Sequence, residues 1–437
     1  VTRSVTPRPD PRVFLFLQGP HGPFFWQLSH ALRRSGARTL RVGFNRGDDA
    51  FWPDRQSYIA QTAPLSGWEE TVGGIMTSRG VTDLVVYGDT RPVHATAIAQ
   101  ARRRGITVHV FEEGYLRPYW VTYERGGANG NSPVMATSVD QMRRALGGVD
   151  MDLPDAPARW GALREHVFYG ALYHGIVLVA NRHYAAVRPH RALSVRQEFR
   201  LYLKRLALMG WHWLDRLAAT RRILRGGYPY HLALLQLEHD ASFRDHGPFA
   251  SQADFVDTVI DGFASGAPPH HHLVFKAHPL EDGRTPLRAA IRRSADQHGI
   301  APRVHFVRGG KLAPLLDAAR SAVTVNSTAA QQALWRGLPL KCFGAAVYDK
   351  PEFVSDQPLA AFFRDPGRPD SAAYRKFRHY LLQTSQLPGS FYAARGRRQV
   401  LRVVVDRMLR REDGYAVLSD PAQVLKQASK QHLAAVK

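Results

Sequence analysis

A chain of 437 residues has room for two domains at roughly 100–200 residues each, and 44% hydrophobic residues is enough to give each a core. A formal net charge of +22 points to polyanions as partners: nucleic acid, anionic lipid headgroups or phosphorylated substrates. Cys342 is the only cysteine, which excludes an intrachain disulfide and a cysteine-built zinc site and agrees with a reducing compartment.

Val1 to Arg12 is polar and proline-rich, without the apolar centre of a signal peptide. Val13 to Leu17 predicts a buried strand entering Gln18-Gly19-Pro20-His21-Gly22-Pro23, with an amphipathic helix from Phe24 to Ser35. Strands follow at Thr39–Phe44, Asp83–Tyr87 and Thr107–Phe111, with a helix at Pro92–Arg104. Asp150–Pro157 reads as a linker, and 162–224 as a long helical region rich in Arg, Trp, Tyr and Leu. Alternation then resumes with strands at Leu232–Leu237, Leu273–Lys276, Val304–Val307, Ala322–Val325 and Leu340–Phe343. Helices separate them at Ser251–Ala264, Pro286–His298, Leu312–Ala319 and Ala329–Arg336, and a mostly helical tail begins at Ser371. Strand–turn–helix–strand repetition implies α/β domains with parallel sheets. The expected architecture is GT-B-like, with two Rossmann-like doubly wound domains, a helical basic insertion and a helical tail. The boundaries are 11–157, 158–227, 228–370 and 371–437.

In such folds ligands bind beyond the carboxyl ends of the strands, where nearly every polar motif of this chain falls. Gln18, Gly19, Pro20 and Gly22 lie in a loop where glycine permits close backbone approach, although a tight turn needs the same residues. Glu112-Glu113-Gly114-Tyr115-Leu116-Arg117-Pro118 supplies a carboxylate for general acid–base work, or a solvated turn with a Glu–Arg117 pair. Gln236 to Asp240 ends a buried strand; Asp240 suits a nucleophile or base, or simply a helix cap. Lys276 with His278 and Pro279 suits a phosphate leaving group, and Ser327 and Thr328 at a helix start suit phosphate or an ordinary N-cap. Two patterns carry less. His270-His271-His272 reads as a solvated loop rather than a metal site, and Asp150-Met151-Asp152 matches D-x-D but lies in a linker. No metal and no cofactor are therefore expected.

The stretch from Arg182 to Arg225 interleaves arginines with Tyr202, Trp211 and Trp213, a composition suited to anionic lipid, to RNA or to a solvated face. No apolar run reaches the roughly 18–20 residues of a membrane-spanning helix, so any membrane contact is expected to be peripheral.

Together these motifs resemble the capsule polysaccharide biosynthesis and export family of the KpsS/LipB type. The matching residues are Phe16 to Pro20 with Gly22 to Phe25, Asn45 with Gly47-Asp48, Phe51-Trp52, and Glu112 to Pro118. They continue with Gln236 and Asp240, Lys276 with His278-Pro279, and Gly337-Leu338-Pro339 leading to Gly344 and Tyr348-Asp349. The resemblance implies a retaining β-Kdo transferase that takes CMP-β-Kdo as donor and a lyso-phosphatidylglycerol acceptor. It would lie in the cytoplasm, peripheral on the inner membrane, beside other capsule synthesis and export proteins, with no nucleic acid partner. It implies Asp240 as nucleophile, Glu113 as the acid of an acid–Gly–aromatic motif, and His278 on the CMP phosphate with Ser327 or Thr328. Lys276, Pro279 and Gln236 fall on the donor side, and the Gln18–Gly22 loop with Arg117 on the acceptor side. A non-catalytic export factor and a transferase of another CMP-sugar are the competing readings.

Overall fold

The computed structural model describes residues 11–147, 163–187, 197, 200–201, 207–281 and 283–419. Six strands open the first sheet: β1 (Val13–Phe16), β2 (Arg38–Gly43), β3 (Tyr58–Ala60), β4 (Asp83–Tyr87), β5 (Thr107–Glu113) and β6 (Trp120–Arg125). Their order is β6-β5-β4-β1-β2-β3, parallel except for β6, which runs against β5. β1 is buried at all four positions, as a central parallel strand covered on both faces must be. The second sheet has β7 (Tyr230–Leu234), β8 (His272–Lys276), β9 (Val304–Val307), β10 (Ser321–Thr324) and β11 (Leu340–Cys342), all parallel, in the order β11-β10-β7-β8-β9. Both sheets therefore share the strand order 3-2-1-4-5 of a Rossmann half, and each has a switch point where the order reverses: between β1 and β4, and between β7 and β10. This is the two-domain GT-B-like arrangement.

In the first domain the helices are α1 (Phe24–Arg34), α2 (Arg46–Ala50), α3 (Trp68–Ser78), α4 (Pro92–Arg103) and α5 (Val139–Ala145). Asn45 caps α2 by accepting from the Asp48 N–H at 2.9 Å, and Ser138 with Gln141 closes a capping box on α5. α6 (Leu163–Ala180) and α7 (Met209–Arg225) occupy the basic insertion. The second domain carries α8 (Ala241–His246), α9 (Gln252–Gly266), α10 (Leu287–Gln297), α11 (Ala313–Asp317), α12 (Gln331–Trp335) and α13 (Leu359–Arg364).

The tail is more than a helical appendage. α14 (Ser371–Thr384) leads to a strand, β12 (Gln386–Pro388), which pairs antiparallel with β6 and extends the first sheet to seven strands. α15 (Ala394–Leu409) and α16 (Gly414–Ser419) follow. Val400, Val404 and Met408 of α15 bury against Phe24, Phe25 and Leu28 of α1. Tyr374, Phe377 and Leu381 of α14 share one core with Tyr115, Leu116 and Trp120 of the first domain and Leu232 and Leu334 of the second. At about 1.5–3 kcal/mol for each large apolar side chain buried, this shared core fixes the two sheets relative to one another. Polar bonds reinforce it: the Gln331 amide donates to the Tyr115 carbonyl at 2.8 Å, and the Lys350 ammonium donates to the carbonyls of Val134 and Met135 at 2.9 Å each.

β3, β6, β12 and α3 fall outside the sequence expectation. β6 is buried at five of its six positions, so it shows no polar–apolar alternation. α3 carries Gly73 and Gly74 in its interior, which weaken its helical signal.

Candidate active site

The second sheet gathers the donor-side residues through topology. β10, β7 and β8 are adjacent parallel strands, registered Thr324–Leu234 and Leu234–Lys276. Their carboxyl ends therefore release three loops side by side, carrying Asn326-Ser327-Thr328, Gln236 to Asp240, and Lys276 to Pro279. The first two flank the switch point and are locked together. The Gln236 amide donates to Asn326 Oδ1 at 2.7 Å, while its oxygen accepts from the Asn326 N–H at 2.9 Å. Gln236 thus joins the loops rather than reaching a ligand with its side chain. Its carbonyl accepts from Gln252 Nε2 at 3.1 Å, and Glu238 accepts from the Gln252 N–H at the start of α9 at 3.0 Å.

Asp240 occupies the N-cap position of α8, yet its carboxylate makes no cap hydrogen bond and is exposed. The capping role open to it in the sequence is unused. Lys276, at the end of β8, is buried; burial, with Arg216 nearby, pushes its ammonium down to about 8. His278 Nδ1 accepts from the Leu280 N–H at 3.1 Å, which leaves the imidazole proton on Nε2. Pro279 follows in the same turn and packs against Gly309. The Ser327 hydroxyl caps the turn Thr328–Ala330 by accepting from the Ala329 N–H at 3.2 Å, and its carbonyl accepts from the Tyr348 hydroxyl at 2.7 Å. The helix expected at Ala329–Arg336 is this short turn followed by the five residues of α12.

The first domain faces these loops. The turn Asn129–Asn131 packs on α8 so closely that a Cβ at Gly130 would lie 2.4 Å from His246 Nδ1. Asp89 holds that turn by accepting from the Ala128 N–H at 2.9 Å and Asn131 Nδ2 at 3.1 Å. Glu112 and Glu113 end β5. Gly114 follows because nothing larger fits: a Cβ there would meet the Trp120 carbonyl oxygen at 2.3 Å. Glu113 accepts from the Tyr87 hydroxyl at 3.1 Å. Glu112 stands beside Gly88 at the end of β4. Burial pushes its carboxyl up to about 7, against the bond it accepts from the Glu113 N–H at 2.9 Å and with the added repulsion of Asp240. Arg117 donates to the Gly114 carbonyl at 3.3 Å rather than to either glutamate, and is exposed.

The Gln18–Pro23 loop is built into the fold. Gln18 Nε2 donates to Asp48 at 3.2 Å, and Asp48 also pairs with Arg41 at 3.1 Å and accepts from the Tyr173 hydroxyl at 3.1 Å. Tyr173 belongs to α6, which lies over this loop: its hydroxyl accepts from Asn45 Nδ2 at 2.7 Å, its ring packs at a tilt against His21, and Tyr169 packs on Gly22. Gly19 and Pro20 are buried beneath. Tyr173→Phe is expected to remove these bonds from a buried carboxylate and to destabilise the fold by about 1–3 kcal/mol. Urea denaturation measures the loss, and faster hydrogen exchange confined to α6 and α2 shows its location; an unchanged denaturation midpoint contradicts it.

A family model described as capsule polysaccharide biosynthesis protein matches residues 82–392. The chain belongs to this family. Within it, the chain is 29% identical over 382 residues to the capsule polysaccharide export protein KpsS of Escherichia coli, covering 87% of this chain and 96% of that protein. It is 30% identical over 387 residues to the capsule polysaccharide modification protein LipB of Neisseria meningitidis serogroup A, covering 87% and 91%. Among solved structures, KpsC of Thermosulfurimonas dismutans, titled a β-Kdo 2,7 transferase, aligns over 90% of this chain and 99% of that chain at 12% identity with a TM-score of 0.45.

In this capsule family member the structure also supplies residues absent from the motif reading. His166 of α6 stacks on Tyr392 at 4.1 Å, and burial holds its imidazole low despite the charge of Glu113. Arg91 lies over the Tyr87 ring and counters the charge of Glu112. His166 comes from a helix and Tyr392 from the tail, whereas Arg91 lies in the turn between β4 and α4. The histidine run is not a solvated loop throughout. His271 is buried with its Nδ1 3.1 Å from His231 Nε2, and His272 pairs with His305 at 2.8 Å. No group of three His, Cys, Asp or Glu is placed to hold a metal among the described residues, and Asp150-Met151-Asp152 lies outside them. Two surface cavities, of about 270 Å³ between α7 and β9 and about 550 Å³ between α3 and α4, contain none of the strand-end residues.

Proposed function

We propose that this capsule family member is a retaining glycosyltransferase that moves Kdo from CMP-β-Kdo to a lipid acceptor of the lyso-phosphatidylglycerol type. The observation that carries the reading is Asp240: an exposed carboxylate at the second switch point, released from capping, whose charge adds to the upward shift of the Glu112 carboxyl. The donor's phosphate would lie over the β8 and β10 loops, where Lys276 supplies charge and His278 and Ser327 supply donors. Asp240 attacks the anomeric carbon as its bond to the phosphate oxygen breaks, and CMP departs with the electron pair. The acceptor hydroxyl then attacks the same carbon and releases Asp240, so two inversions give retention.

Its proton passes to a carboxylate, and the electrostatics support Glu112 for this step. Burial, with the charge of Asp240 added, raises the Glu112 carboxyl to about 7, the useful range for a general base. Glu113, held by Tyr87, is a positioning residue. Arg117 and the Gln18–Gly22 loop would border the acceptor side. No cofactor enters this scheme. Purified protein incubated with CMP-Kdo and a short-chain lyso-phosphatidylglycerol should yield a product heavier by one sugar in mass spectrometry. Absence of product with this donor, alongside product with another CMP-sugar, would redirect the donor assignment.

A further inference from the structure

α6 is apolar on its outward side as well as its inward one. Toward the first domain it turns His166, Tyr169 and Tyr173, all aromatics engaged in the contacts described above. Toward solvent it turns Val167, Phe168, Leu172, Leu178 and Val179, which are 39–84% exposed. These recur at i, i+1, i+5, i+11 and i+12, the spacing of one helical face, and form an apolar stripe about 18 Å long. A surface helix in water keeps its outward face polar. α7 adds Met209, Trp211, Trp213 and Leu214, 51–68% exposed.

Charge identifies the occupant. Residues 182–225 hold eleven Arg and Lys against two acids. A second copy would bring like charge against like charge, whereas an anionic bilayer presents the complement, with tryptophan suited to its interface. No helix among the described residues is long and apolar enough to cross a membrane, so the stripe would lie in the plane of the surface. We propose that the outward face of α6, with the first turns of α7, seats the protein on an anionic phospholipid bilayer. The inward face of the same helix reaches Tyr392, which lies within the field of Glu112 and Glu113. Docking would therefore leave α6 between the acid pair and the lipid surface. This consequence rests on the lipid-acceptor reading; the docking itself does not.

The test is co-flotation of the full chain with vesicles of phosphatidylglycerol and phosphatidylcholine or of phosphatidylcholine alone, without donor or acceptor. The wild type should float with the anionic vesicles and at least ten-fold less with the neutral ones or in high salt. Phe168→Glu, Leu172→Glu and Val179→Glu combined should lower anionic-vesicle binding at least ten-fold with an unchanged thermal midpoint. The proposal is overturned if the wild type does not float or the variant floats equally. It also fails if light scattering shows a wild-type oligomer that the variant dissociates, which makes the stripe a protein interface. A wild type that floats but transfers no sugar keeps the docking surface and ends the transfer reading.

Discussion

Replacing Asp240 with alanine is expected to lower sugar transfer by about 10⁴-fold or more while donor binding changes little, the pattern of a lost nucleophile. The carboxylate is exposed and caps nothing, so its removal leaves no buried group unpaired, and α8 keeps its backbone bonds to the Asp240 carbonyl. Stability should therefore hold, which separates a chemical defect from a folding one. Wild-type protein given donor without acceptor should also yield a peptide containing Asp240 that carries one sugar. Near-normal turnover by the alanine variant would remove Asp240 from the mechanism, and loss of donor binding would make it a binding residue.

Glu112→Gln is expected to reduce kcat/KM by about 10²–10⁴-fold, the usual contribution of a general base, whereas Glu113→Gln should cost less. The pH profile gives the more specific test. Glu112 must be deprotonated to accept a proton, so activity should rise with pH through about 7. Lys276 must stay protonated to hold the phosphate, so activity should fall as pH rises through about 8. A narrow bell between these limbs follows. Lys276→Arg should flatten the alkaline limb, because a guanidinium does not titrate in this range. A profile flat from pH 6 to 9, or an acid limb that persists in Glu112→Gln, would rule out this assignment.

Both predictions concern carboxylates that the sequence already placed at strand ends, but it could not choose between neighbours. Glu112 and Glu113 are adjacent on one strand, so their side chains leave on opposite faces, and the sequence does not say which face meets the second domain. The choice depends on how α8 stands against the first domain, where it packs on the turn Asn129–Asn131, more than a hundred positions away in the chain. The same limit applies to Gln236. Its place after a buried strand marked it as a site residue, but only the Asn326 backbone and side chain show that its amide is consumed in joining two loops. Gln18 was legible as a strand-end residue, whereas its bond to Asp48 under α6 was not.

The sequence by itself determined the parallel α/β plan, the strand ends that carry Asp240, Lys276, His278 and Ser327, and the family. These follow from local periodicity and from motifs only a few residues long. The tertiary structure decided that Gln236 is consumed in joining two loops, that the tail returns as β12 to the first sheet, and that α6 leaves apolar side chains exposed. Each of those depends on which buried surface satisfies a given face, and that partner lies far away in the chain. A hydrophobic pattern records that a face must be covered; the packing of both domains determines what covers it.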